Sequence, residues 1–148
     1  MATREDIVKV ARSYLGTPFH HLGRLPGVGL DCAGLLVCCA RELGLVAAGF
    51  DVPAYVPAPD GRQLIAWCEQ YMTRVTRDTM QPGDAIVTIT DVHPQHLGIL
   101  GDYLHGGLSI IHAASNAHPP RVIETRLMFS RNQRFVAAYA LPRAVIGD

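Results

Sequence analysis

One cysteine and a small set of histidines are the residues through which this sequence could do chemistry. Cys32 lies in the stretch Gly29-Leu30-Asp31-Cys32-Ala33-Gly34-Leu35-Leu36, a loop that turns directly into a helix. Leu35, Leu36, Cys39, Ala40 and Leu43 recur at helical spacing, and Asp31 just before them is a good cap residue. Cys32 therefore falls in a first helical turn, where unpaired N–H groups and the helix dipole favour an anion. A thiol there is expected to have its pKa lowered toward the thiolate, the form that attacks carbonyls. Gly29 and Gly34 read as room for substrate backbone to approach. The competing reading is a buried structural cysteine, because free cysteine is among the most buried residue types.

A cysteine nucleophile needs a base, and the base needs a third group to orient it. The C-terminal half offers His93, His96, His105, His112 and His118. His96 begins one apolar strand and His112 lies near the end of the next. If those strands pair antiparallel, the start of one lies beside the end of the other. His96 and His112 are then neighbours on one edge of the sheet, and for catalysis that edge would have to face the N-terminus of the Cys32 helix. Zinc held by Cys32, His96 and His112 is an alternative use of the same residues.

The elements that must position these groups follow from periodicity and turn signals. Thr3 with Asp6 three residues on forms a capping box for a first helix, with Ile7, Val10, Ala11, Tyr14 and Leu15 as its apolar stripe and Gly16 and Pro18 as its stop. Residues 16 to 30 are a loop long enough to suggest function, carrying His20, His21 and Arg24 ahead of the cysteine. Residues 50 to 59 are punctuated by proline and read as extended. Asp60-Gly61 opens a third helix with Leu64, Cys68 and Tyr71 on one stripe, and Trp67 as core or groove wall. Strands are expected at 85–89, 96–100, 108–113, 121–125 and 135–140, with a turn at 80–84 and a loop at 90–95 between them. Helices first and hairpin-linked strands after indicate an α+β domain: N-terminal helices packed on a C-terminal antiparallel sheet or open barrel of about five strands. With no repeat and no linker, residues 1–148 read as a single domain.

Composition excludes several classes. Of 148 residues, 13 are Lys or Arg and 13 are Asp or Glu, so net charge is zero with histidine neutral. That balance argues against nucleic acid as the main partner. No apolar run approaches the ~20 residues of a membrane span. The N-terminus lacks the pattern of a signal peptide, so synthesis in the cytoplasm is expected. Four cysteines without a C-x-x-C pair read as core residues apart from Cys32, not as a disulfide or zinc framework.

The blocks GLDCAGLL, PGDAIV, QHLGILGD and IIHA, in that order, resemble those of the NlpC-type cell-wall cysteine peptidases, a papain-like group. The loop LGTPFHHLGRLPGVGLDC and the segment FVAAYALP are similar to the phage and prophage branch, including gene-transfer-agent peptidases. The likeness runs from about Val8 to Pro142. It implies Cys32 as nucleophile, His96 as general base and His112 as the residue that orients it, with no metal or organic cofactor. It implies a peptidoglycan stem peptide as substrate, cut at the γ-D-glutamyl–diamino acid amide, and a tail-associated location acting on the cell wall, with other phage tail proteins as partners. Asp31 matches a family aspartate that contacts the amine of some substrates, and His20, His21 and Arg24 join it as substrate-binding candidates. Two positions depart from the family pattern: Ala33 stands where Asp-Cys-Ser-Gly is frequent, and Phe19 stands where a tyrosine follows proline. The alternatives carried beside this reading are a non-enzymatic tail-assembly or wall-peptide-binding subunit, and another thiol acyl enzyme on the same fold.

Overall fold

A computed structural model describes residues 2–56, 62–91 and 95–142. The expected helix opening at Asp60-Gly61 and His93 lie outside the described residues.

Helix α1 spans Arg4–Ser13 and begins with the reciprocal Thr3–Asp6 capping box. Its buried face is Ile7, Val8 and Ala11, continued by Tyr14. Leu15, expected on that stripe, is 43% exposed because the helix has ended by then at its Tyr14 cap. Helix α2 spans Cys32–Glu42 and is apolar nearly all round, with every residue from Ala33 to Ala40 buried. That pattern belongs to a helix enclosed by other elements, and α2 touches α1, the sheet and the loop before it. Helix α3, Arg62–Tyr71, buries Leu64 and Cys68, while Tyr71 stays at the rim against Phe50.

The loop before α2 holds a small hairpin, β1 (Arg24–Leu25) and β2 (Gly29–Leu30). The main sheet is formed by β3 (Thr73–Val75), β4 (Ala85–Thr90), β5 (His96–Asp102), β6 (Leu108–Ala114), β7 (Arg121–Arg126) and β8 (Gln133–Ala140). Its order is β3-β8-β4-β5-β6-β7, antiparallel throughout. Against the expected sheet of about five strands, the main sheet has six among the described residues. The sixth, β3, is three residues long and mostly exposed, too short to show alternation in the sequence.

Alternation divides the sheet into two faces. Ile99, Ile111, Val87 and Tyr139 join Ile7, Leu35, Cys39 and Leu64 in the core beneath the helices. Ile86, Leu100 and Ile110 form a second cluster on the other face, covered by Met80, Leu127, Phe129 and Phe135. Polar ties fasten α1 across the sheet. Arg12 grips Glu124 through Nε (3.0 Å) and Nη2 (2.8 Å), and Ser109 donates to the same carboxylate at 2.6 Å.

Candidate active site

Asp31 caps α2 by accepting from the Gly34 N–H at 2.8 Å. Its carboxylate, 3% exposed, does much more than cap. It accepts from Arg24 Nη1 at 2.9 Å, from the Leu22 N–H at 2.8 Å and from the Tyr55 hydroxyl. Arg24 in turn reaches Asp51 and Tyr55. Burial alone would lower the Arg24 pKa, but Tyr55, Asp31 and Asp51 hold it above its ordinary value. This cluster pins the hairpin loop against the start of α2. The two glycines serve the same junction: a Cβ on Gly34 would collide with the Gly23 carbonyl, and one on Gly29 with the His20 Cβ. They make room for the protein's own loop, which corrects the expectation that they make room for substrate.

Cys32 is the first residue of α2 and partly buried. His96 is the first residue of β5 and 4% exposed. His96 Nε2 lies 2.7 Å from His112 Nδ1, and the rings meet edge to face with centroids 4.8 Å apart. The sheet explains how the two histidines meet. The β5–β6 ladder runs from Asp102–Leu108 only as far as Ile99–Ile111. Beyond it the strands part, and His96 at one end and His112 at the other stand at the opening. Leu100 directs both its N–H and its C=O toward the β4 side, bonding Asp84 and Gly83. By alternation Leu97 directs its N–H toward β6, and with no ladder there it donates to Cys32 instead. The sulfur of Cys32 therefore sits against the residue that follows His96.

The thiol does not behave as the helix position alone suggests. Desolvation pushes the Cys32 pKa up to about 11, and the Leu97 and Ala33 backbone hydrogen bonds offset that only in part. The expected lowering is overturned, because the helix start lies against the core cluster that includes Cys68 and Leu97. At neutral pH the resting thiol keeps its proton, so attack requires transfer to a base.

The candidates ahead of the cysteine separate into two groups. Arg24 and His21 converge on Asp31, with His21 Nδ1 at 4.0 Å from its carboxylate and edge-on to the Tyr55 ring. His20 is exposed and bonds the His21 carbonyl instead. Tyr55 was not singled out from the sequence; it sits in the proline-punctuated segment, and its hydroxyl reaches Asp31 only through the fold. His105 lies in the turn at the opposite end of β5 and packs on Tyr103, while His118 is exposed. An apolar groove runs between α2 and α3, lined by Leu36, Leu64 and Trp67 and ending at Ala33, Cys68 and Leu97. Trp67 is thus a groove wall. Among the described residues no three His, Cys, Asp or Glu side chains converge as a metal site.

Among solved structures, the chain is similar to the NlpC/p60 domain of the peptidoglycan hydrolase SagA, with a TM-score of 0.61 and 21% identity over 95% of this chain and 100% of that one. The fold is that of an NlpC/p60 domain. No family model matches the sequence, and no curated protein matches it either. The NlpC/p60 fold agrees with the α+β architecture expected from the order of helices and strands. Among the described residues no helix is long and apolar enough to cross a membrane.

Proposed function

We propose that this chain is a cysteine peptidase that hydrolyses an amide bond in peptidoglycan stem peptides, with Cys32 as nucleophile, His96 as general base and His112 as the residue that orients it. The observation that carries the reading is the 2.7 Å histidine pair where the β5–β6 ladder ends, with the helix-start thiol bonded to the N–H of Leu97, the residue next to His96. His112 engages Nε2 of His96, so the Cys32 proton goes to Nδ1. The imidazolium then donates from Nε2 to His112 Nδ1, which requires the neutral His112 tautomer with its proton on Nε2. His112 brings no charge and acts by orientation.

In acylation, sulfur attacks the carbonyl carbon as its proton passes to His96. The tetrahedral oxyanion faces the first N–H groups of α2, where the helix dipole is positive. Collapse breaks the C–N bond, His96 returns the proton to the leaving amine, and a thioester remains on Cys32. Water then attacks, giving its proton to His96, and the thiol is regenerated with release of a carboxylic acid. Desolvation raises the thiol pKa and so opposes the first transfer, and the reading assigns that transfer to His96 as general base.

The bond read for this site is the γ-D-glutamyl–diamino acid amide. Asp31, His21 and Arg24 are read as the substrate end of the cleft, with His20 at its outer edge. This bond, and an association with a phage or prophage tail that carries the domain to the wall, follow from the likeness of the sequence blocks. The raised thiol favours one competing reading, a wall-peptide-binding or tail-assembly subunit with an inert site. Digestion of purified sacculi separates them. Mass spectrometry should show newly freed diamino acid amines with the wild-type chain and none with Cys32→Ala. Binding of sacculi without any cleavage by the wild-type chain supports the non-enzymatic reading.

A further inference from the structure

Among the described residues, two buried side-chain oxygens have no hydrogen-bond partner, Thr88 Oγ1 and Gln95 Oε1. Both adjoin His96: Gln95 precedes it in the chain, and Thr88 is its direct partner across the β4–β5 ladder. A glutamine can find a partner by turning its amide end for end. A threonine hydroxyl has one oxygen whichever way it rotates, and Thr88 is completely buried. Its placement is built in by an irregularity. The β4–β8 register shifts between Val87 and Thr88, so that Val87 opposes Ala137 and Thr88 opposes Phe135. Bulges of this kind re-aim side chains and recur beside active sites. Directly opposed residues project to the same face with Cβ atoms about 5 Å apart, so Thr88 and His96 leave the sheet as neighbours on one face. The layer continuing from it on that face is dry, made of Ile86, Ile110 and Leu100, with Ile110 filling the space over Gly98.

We propose that Thr88 is a positioning residue for His96, its hydroxyl dipole steadying the imidazolium that forms when Cys32 gives up its proton. This rests on the cysteine peptidase reading. A neutral imidazole makes little demand on a neighbouring hydroxyl, in keeping with an Oγ1 that stands unpartnered. A cation formed in a water-poor site draws on every nearby dipole, and here the third residue, a neutral histidine, supplies no charge. An oxygen held in advance beside the ring costs no reorganisation when the charge appears.

The test needs no knowledge of the substrate. The rate of Cys32 alkylation by iodoacetamide is followed by mass spectrometry from pH 5 to 10 in wild type, Thr88→Val, Thr88→Ser and His96→Ala, with thermal midpoints recorded for each. Thr88→Val is expected to lower the rate at pH 7 by about tenfold, the effect of one unit in the proton affinity of His96. Its midpoint should stay the same or rise, because a partnerless buried hydroxyl has been removed. Thr88→Ser should restore the wild-type profile. If valine weakens the fold, Thr88→Ala against Thr88→Ser gives the same comparison, since that pair differs by the hydroxyl alone. A valine or alanine profile that overlays wild type, while His96→Ala slows alkylation, overturns the role of Thr88 and leaves the Cys–His pair standing. If His96→Ala also matches wild type, the pair itself fails and the proposal with it.

Discussion

Replacing Asp31 tests whether one buried carboxylate holds the nucleophile's helix and its loop together. Asp31→Ala removes the α2 cap, worth about 1 kcal/mol. It also removes the acceptor of Arg24, whose side chain is 13% exposed and keeps Asp51 as a partner. Losing one of two charged hydrogen bonds there costs about 2 kcal/mol. Tyr55 loses its acceptor as well but retains Arg24 as a donor, for roughly 0.5 kcal/mol more. The total is about 3.5 kcal/mol, and Asp31→Asn should cost somewhat less. The amide oxygen can still cap Gly34, while its NH₂ group faces the Leu22 N–H, donor against donor. Urea unfolding followed by two probes reads these values directly. In a double-mutant cycle, Tyr55→Phe and Asp31→Ala should couple by about 0.5 kcal/mol. A cost below 1 kcal/mol for Asp31→Ala, or additivity with Tyr55→Phe, would refute the idea that this cluster anchors the loop.

Glu124 has its pKa held below the ordinary carboxylate range, chiefly by hydrogen bonding to Arg12. Its stabilisation is therefore complete above the ordinary glutamate value and is lost as pH falls through the depressed one. Glu124→Gln should cost about 1 kcal/mol at pH 7, after allowance for the exposed Arg12, and should flatten the loss of stability measured by thermal melting between pH 5 and 3. Gly34→Ala drives a Cβ into the Gly23 carbonyl and should destabilise by about 2 kcal/mol, read as a lower urea midpoint. His112→Ala should lower kcat/KM on a stem peptide by about a hundredfold, the lower end of a general-base effect, with a small change in thermal midpoint. An unchanged kcat/KM would remove His112 from the reaction.

The strands from β4 onward were legible because each is a run of β-branched or apolar residues between Gly, Pro or Asp turns. The capping box of α1 was legible for the same local reason. What stayed hidden depends on contacts between distant segments. Two-residue strands such as β1 and β2 carry no alternation, and Tyr55 earns its place only when residues 50–56 fold over Arg24. The helix start around Cys32 could be read from Asp31, but the burial that raises its thiol comes from packing against the assembled core, built from segments the sequence places far apart. The neighbourhood of His96 and His112 followed from antiparallel pairing, whereas its cause, a ladder that stops at Ile99–Ile111, is a property of the assembled sheet.

The central claim is that Cys32 carries the acyl half of a cleaved stem peptide. Acid-quenched incubation with a γ-D-glutamyl–diaminopimelate peptide, followed by peptide mapping, tests it most directly. The account predicts a thioester adduct on Cys32 with the mass of the glutamyl portion, accompanied by freed diaminopimelate amine, and neither product with Cys32→Ala. Release of that amine by Cys32→Ala, or turnover by the wild-type chain with an adduct at another residue, would contradict it.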